Sequence, residues 1–277
     1  MAYKRILTIQ DISCMGQCSI TVALPVISAC SHETCILPSA VLSNHTGGFS
    51  RFTFNDISED FPNIQQRWIE EGVSFDCIYT GYLGTVKQID YVCDIFATLK
   101  REDGKIIVDP AMADHGKLYK GFDMEYVEGM RYLCTKADII LPNITEACFL
   151  TGTEYKETYD KPYIDELMRK LSMVTEGVVI LTGVSYDNEN VHVMISSNGE
   201  ISSYTHKKVG TSFHGTGDVF SSSFVGAYMQ GKSLFDSARI ASEFTVKCIE
   251  NTIGDKSHWY GTKFETALPD LIAMLEL

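Results

Sequence analysis

Apolar and polar positions along the chain follow two alternating rhythms. Short runs dominated by Ile, Leu and Val occur at 4–10, 34–42, 76–80, 105–108, 138–141 and 177–181, and read as strands. Between them lie longer segments with apolar residues at helical spacing, as at Ile89, Val92, Cys93 and Phe96 within 85–101. Further helices are expected over about 17–30, with Pro25 as a kink, and over 61–71, where Pro62 suits a first turn. The same spacing predicts helices at 123–136, 144–151 and 162–175. After 181 the rhythm changes. Residues 191–196 and 201–205 flank Ser197-Asn198-Gly199-Glu200 and predict a hairpin. A loop over 207–217 then precedes helices at about 218–230, 234–252 and 262–275. No linker, repeat or low-complexity tract interrupts the pattern, so one domain over 1–277 is expected.

Strand and helix in alternation predict an α/β fold: one mostly parallel sheet, helices on both faces, and a small antiparallel edge. Ligands bind such sheets at the carboxyl ends of the strands. The endings here are Gln10-Asp11, Thr80-Gly81-Tyr82, Asp109-Pro110, Pro142-Asn143 and Thr182-Gly183, all polar or turn-forming.

Charge narrows the possible partners. The chain has 277 residues and a net charge of −13, from 23 Lys+Arg against 36 Asp+Glu. That acidity argues against nucleic acid and anionic membranes as partners, whose phosphates call for a basic surface. It leaves a small anionic ligand open, because a local site can oppose the global sign. No run approaches the ~18 apolar residues of a membrane span, and Met1–Gln10 has no apolar h-region of a signal peptide. The nine cysteines are an odd number without a Cys-x-x-Cys pair, which suggests free thiols in a reducing cytoplasm. Zinc at Cys14 and Cys18 would need two further ligands that nothing nearby offers at a recognisable spacing.

The sharpest local signal is Gly215-Thr216-Gly217-Asp218, directly before a helix. Two glycines around a small hydroxyl residue let the backbone approach a ligand closely. The first N–H groups of the helix are unpaired, and with the helix dipole they make an anion hole. Asp218 stands at its mouth. It could cap the helix, or accept a proton from a substrate hydroxyl while the hole holds a transferring phosphoryl group. No Walker A pattern is present.

Gly215-Thr216-Gly217-Asp218 resembles the signature of ribokinase-like small-molecule kinases, and other segments narrow the match. Ser43-Asn44-His45-Thr46-Gly47 is similar to the substrate loop of pyridoxal kinases, and Tyr79-Thr80-Gly81-Tyr82-Leu83-Gly84 to their next strand end. Val108-Asp109-Pro110-Ala111-Met112 and Leu141-Pro142-Asn143-Ile144-Thr145-Glu146 resemble the family's elements beside the nucleotide phosphates. The segments lie in family order between 43 and 218, and together they favour the catalytic reading of Asp218.

The resemblance to the pyridoxal/pyridoxamine kinase family implies ATP-dependent phosphorylation of the 5′-hydroxymethyl group of a B6 vitamer. It makes Asp218 the base, and the N–H groups of Gly215, Thr216 and Gly217 the cradle of the γ-phosphoryl group. Asp109 and Glu146 become the acidic pair that holds Mg²⁺, with Asn143 and Thr182 as nucleotide contacts. The same residues also suit an Asp-Pro turn, a capping box (Asn143 with Glu146) and a turn (Thr182). Thr46 and Tyr82 match contacts to the pyridine ring. His45 serves either that loop's fold or a subunit contact. The segment 111–121, with His115, Lys117, Tyr119 and Lys120, is either a cover for the nucleotide or a solvated loop. The family also implies a homodimer and a monovalent cation such as K⁺.

Asp11 departs from the pattern, since better-known members carry Ser after Ile-Gln. An ionised Asp accepts hydrogen bonds and attracts a cation, so it is expected to favour a protonated pyridine nitrogen or the 4′-amine of pyridoxamine. Two alternatives accompany this reading. One is a kinase for hydroxymethylpyrimidine or another small molecule in the same superfamily, whose N-terminal glycine pattern is missing from 11–16. The other is a non-catalytic B6-binding protein, which would need no base at Asp218.

Overall fold

The computed structural model describes residues 3–210 and 213–277. Nine strands form one sheet: β1 (Arg5–Ser13), β2 (Glu33–Leu42), β3 (Phe54–Asp56), β4 (Phe75–Thr80), β5 (Lys100–Val108), β8 (Ile139–Ile140), β9 (Val178–Val184), β10 (Asn190–Ser197) and β11 (Glu200–Lys207). Their order is β11-β10-β9-β8-β5-β4-β1-β2-β3. From β9 to β2 every neighbour is parallel, while β3 at one edge and β10–β11 at the other are antiparallel. A separate two-stranded hairpin joins β6 (Ala113–Asp114) to β7 (Lys117–Leu118).

Alternate residues of each strand enter different cores, as a period of two requires. Leu7, Ile9, Ile78, Ile106 and Val108 pack with α2 (Phe61–Glu70), α3 (Val86–Leu99), α4 (Met124–Cys134), α5 (Ile144–Thr151) and α6 (Lys161–Leu171). Ile6, Cys77, Tyr79, Ile107 and Ile139 face α1 (Ile20–Ala29), α7 (Thr216–Met229) and α8 (Leu234–Glu250). A further apolar layer, built on Val22, Val219, Phe244 and Leu271, lies between those helices and α9 (Leu268–Leu275). The predicted layered α/β architecture is the one observed.

Four departures have local causes. The first helix starts at Ile20, not 17, because Gly16 and Ser19 both take positive φ (124° and 51°). Strand β3 is wholly exposed and so carries no apolar signature. Strand β5 begins at Lys100 through a polar stretch that cuts the preceding helix at Leu99. The expected helix over 262–275 is a 3₁₀ turn, Phe264–Ala267, followed by α9.

Parallel registers align the strand ends. Ile9 pairs with Thr80, Thr80 with Val108, and Val108 with Ile140. Gln10, Gly81, Asp109 and Leu141 therefore follow on one rim. Between β1 and β2 the register slips from Gln10↔Pro38 to Ile12↔Val41, so Asp11 faces two residues, Ser39 and Ala40. Such a bulge beside a site re-aims side chains, and Pro38, which lacks an N–H, is tolerated where the ladder breaks.

Helix α7 crosses α1 at close range. A Cβ on Gly226 would collide with the thiol of Cys30 and lie 2.8 Å from its Cβ. Gly226→Ala is therefore expected to lower stability by about 1–3 kcal/mol despite the better helix propensity of Ala, with part of the loss recovered by Cys30→Ala in the same chain. Urea denaturation of the single and double variants checks this.

Candidate active site

Gly215 precedes α7 as its N-cap with φ 77° and ψ 2°, a left-handed conformation that favours glycine. A Cβ there would also strike the backbone carbonyl oxygen of Gln17, so Gly215 is required twice over. The first intrahelical bond runs from the Val219 N–H to the Gly215 carbonyl at 3.0 Å. The N–H groups of Thr216, Gly217 and Asp218 thus have no partner within the helix. Gly215 has no side chain to cap them. A Cβ on Gly217 would meet nothing within 4 Å, so the space before this turn is open. Thr216 donates its hydroxyl to the Phe213 carbonyl at 3.2 Å. The helix starts at Thr216, two residues earlier than the spacing predicts, because Gly217 and Asp218 complete its first turn.

Asp218 is half-buried and lies near two other carboxylates. Burial, then the charge of Asp109 and of Asp11, raises its pKa to about 8, against the backbone N–H of Ser19. Asp109 is 9% exposed and accepts the Ser221 hydroxyl on Oδ2 at 2.7 Å. Burial raises its pKa to about 6, with Ser221 opposing. Glu146 is buried, and burial followed by the Asp109 charge holds its pKa well above the usual carboxylate range.

Asn143 and Glu146 form the capping box of α5. The Asn143 Oδ1 accepts from the Glu146 N–H at 3.0 Å, and Glu146 Oε2 accepts from the Asn143 N–H at 2.8 Å. Glu146 Oε1 also accepts from the Met112 N–H at 3.2 Å, which ties the post-β5 segment to α5. Thr182 lies inside β9, not after it, and bridges to Asn143. Asn143 and Thr182 border a cavity of about 530 Å³ whose other walls include Thr145, Tyr155, Tyr159 and Tyr186. Its lining does not extend to Asp109, Glu146, Asp218 or Tyr82. The β6–β7 hairpin covers one side, with the Gly116 N–H donating to the Thr145 hydroxyl at 3.1 Å. His115 lines the cavity beside Asp114, whereas Lys117 and Lys120 are exposed elsewhere on the segment.

On the opposite flank Asp11 is 4% exposed and accepts the Ser13 hydroxyl at 2.8 Å. Burial raises its pKa, while Ser19 and Ser13 pull it down. Burial and the Asp11 charge push the Tyr82 phenol to about 12, so these two side chains share one environment. Tyr82 stacks on Phe122 at 5.3 Å, and Phe122 on Tyr126 at 3.8 Å, giving an aromatic wall. Thr46 is exposed on its loop. His45 is buried. Its Nδ1 accepts from the Gly47 N–H at 3.1 Å, and its Nε2 donates to the Tyr260 carbonyl at 2.7 Å. His45 therefore serves the loop's fold. His214, just before Gly215, lies against the same loop: a Cβ on Gly47 would come within 2.6 Å of its Nδ1.

Ser13, Ser19, Ser221, His214 and Phe122 went unassigned in the sequence. One signal was available for Ser221. It follows Asp218 by three positions and so shares its helix face.

None of the ion pairs among the described residues involves Asp109, Glu146 or Asp218. The Asp109 charge adds to burial in raising the pKa of Glu146 and Asp218, and neighbouring carboxylates of this kind suit a divalent cation. No cluster of three or more His, Cys, Asp or Glu could hold a metal among the described residues. Two carboxylates are the kind of donor that Mg²⁺ takes together with water and phosphate oxygens, although both Glu146 oxygens already accept backbone N–H groups.

An open anion turn, a carboxylate at its mouth and a neighbouring acidic pair define a phosphotransferase with an alcohol group as acceptor. The sequence profile of the phosphomethylpyrimidine kinase family matches residues 15–262, and this chain belongs to that family. A provisionally named phosphomethylpyrimidine kinase from Bacteroides thetaiotaomicron, solved with pyridoxal, superposes with a TM-score of 0.92 at 37% identity, covering 98% of this chain and 96% of the other. Pyridoxal kinase from Lactobacillus plantarum gives 0.91 at 27% identity, covering 99% of both chains. Pyridoxal kinase from Dictyostelium discoideum is 28% identical over 240 residues, 80% of this chain and 77% of that one. The ribokinase-like fold is thereby established, and no helix among the described residues is long and apolar enough to cross a membrane.

The raised pKa of Asp218 has a thermodynamic consequence. In the unfolded chain this carboxyl ionises near pH 4, but in the fold only around 8. Its ionisation therefore opposes folding increasingly between those limits, and fully above them. Asp218→Asn is expected to raise the melting temperature at pH 8 and to raise it less at pH 5. Thermal melts at both pH values check the sign.

Proposed function

We propose that this enzyme transfers the γ-phosphoryl group of ATP to the 5′-hydroxymethyl group of a B6 vitamer. The observation that carries the reading is the position of Asp218 in the first turn of α7, beside the Gly215–Gly217 turn and an open space. In the reaction Asp218 takes the proton of the substrate hydroxyl. The oxygen forms its bond to the γ-phosphorus as the bond to the β–γ bridging oxygen breaks, and ADP leaves. The N–H groups of Gly215, Thr216 and Gly217 hold the phosphoryl oxygens as charge spreads over them. Asn143 and Thr182 line the nucleotide side. Mg²⁺, when bound by Asp109 and Glu146, would neutralise charge on the phosphates and orient them. A cytoplasmic homodimer and a further cation such as K⁺ complete the reading that the family resemblance supports.

The aromatic wall at Tyr82 and the buried acid at Asp11 support a flat, cationic ring as acceptor. Thr46 completes the ring contacts in this reading. The relative solved with pyridoxal points the same way. A second reading, a hydroxymethylpyrimidine or phosphomethylpyrimidine kinase, is favoured by the name of the matching family. ADP release with pyridoxal, pyridoxine, pyridoxamine and hydroxymethylpyrimidine separates the two. Turnover is expected with the B6 vitamers, and a preference for hydroxymethylpyrimidine would reverse the assignment. Asp218→Ala is expected to lower kcat at least about 100-fold while nucleotide binding persists. Normal turnover by that variant would mean that another group is the base.

Asp11 should set the order among vitamers. Asp11→Ser is expected to lower kcat/KM for pyridoxamine more than for pyridoxal or pyridoxine. Steady-state kinetics with each vitamer tests this, and an unchanged preference order would remove Asp11 from substrate selection.

A further inference from the structure

Ser221, Ser222 and Ser223 are consecutive and buried in α7, yet their hydroxyls behave differently. Ser223 donates back to its own helix, to the carbonyls of Val219 and Phe220. Such a bond is the usual fate of a buried helical serine whose task is close packing. The Ser222 hydroxyl and the Tyr79 phenol, both buried, lie close together without a well-formed hydrogen bond. Ser221 also faces the sheet, and it donates to Asp109 Oδ2 at 2.7 Å. Packing would be satisfied by any small residue at 221. The hydroxyl does something further.

That bond joins two parts of the site which otherwise belong to different elements. Asp109 follows β5, and Ile107, two residues before it, packs against α7. Asp218 sits on α7 three residues before Ser221, on the same helix face. The helix turn between them is rigid, so the bond fixes the Asp109 carboxylate relative to Asp218. It also commits one oxygen of Asp109 and prevents the group from rotating. The other oxygen, Oδ1, is left for the nucleotide side.

The geometry points to Ser221 as a positioning residue that aims the free oxygen of Asp109 at the cation over the phosphates. It thereby fixes the Asp109 carboxylate relative to the base at the acceptor. This inference rests on the reading of Asp109 as a cation-side carboxylate. Outer-sphere hydrogen bonds of this kind orient the groups that bind a metal and tune its affinity.

Ser221→Ala is expected to raise the Mg²⁺ concentration for half-maximal activity about tenfold or more, with little change in KM for the acceptor. Calorimetry supplies a readout independent of turnover. MgADP binding should weaken in the variant, whereas ADP binding without Mg²⁺ should not. Ser221→Thr, which keeps the hydroxyl, should restore the Mg²⁺ response. A normal Mg²⁺ response and normal MgADP binding in Ser221→Ala would overturn the inference, as would equal losses in the Ala and Thr variants. Asp109→Asn separates the two layers. If it leaves the Mg²⁺ response unchanged, the cation-side reading of Asp109 is wrong. If it shifts that response and Ser221→Ala does not, only the positioning role falls.

Discussion

Three carboxylates, Asp109, Glu146 and Asp218, meet at the carboxyl end of the sheet without a cationic side chain to offset them. Burying like charges together is costly, and a fold accepts it only where the surrounding structure holds the groups in place. Here each is held by a different device. Glu146 is locked by the capping box of α5 and by the Met112 N–H. Asp109 is tied to α7 through Ser221. Asp218 is carried by a helix whose N-cap, Gly215, packs so closely on the carbonyl of Gln17 that no side chain fits there. The supports come from the segment before α1, from the segment after β5, from α5 and from α7, so the sheet must be assembled before the site exists. The packing of α7 on α1 through Gly226 and Cys30 belongs to the same requirement.

Much of this was legible in the sequence. The six parallel strands and their polar endings could be read from short aliphatic runs, since a buried parallel strand leaves a contiguous apolar signature. The Asn143–Glu146 capping box was visible because both partners lie within one turn. What was not visible depends on residues distant in sequence. Strand β3 has no apolar face, and its pairing with β2 alone defines it. Ser221 meets Asp109 across 112 positions, and His45 meets Tyr260 across 215. The bulge at Asp11 arises from register with β2, not from any property of residues 10–12 themselves. Local patterns predict elements and caps, whereas the supports of a site come from tertiary contacts.

The net charge of −13 acquires a different meaning in this setting. A chain that binds polyphosphate through lysines and arginines would need a basic cleft. This one offers unpaired backbone N–H groups, which carry no formal charge and cost the composition nothing. Its acidic cluster then becomes complementary to the ligand rather than opposed to it, provided that a divalent cation bridges the two. Burial, before any neighbouring charge, raises the pKa values of these carboxylates. An acidic surface elsewhere is no obstacle to binding an anion at uncharged backbone N–H groups.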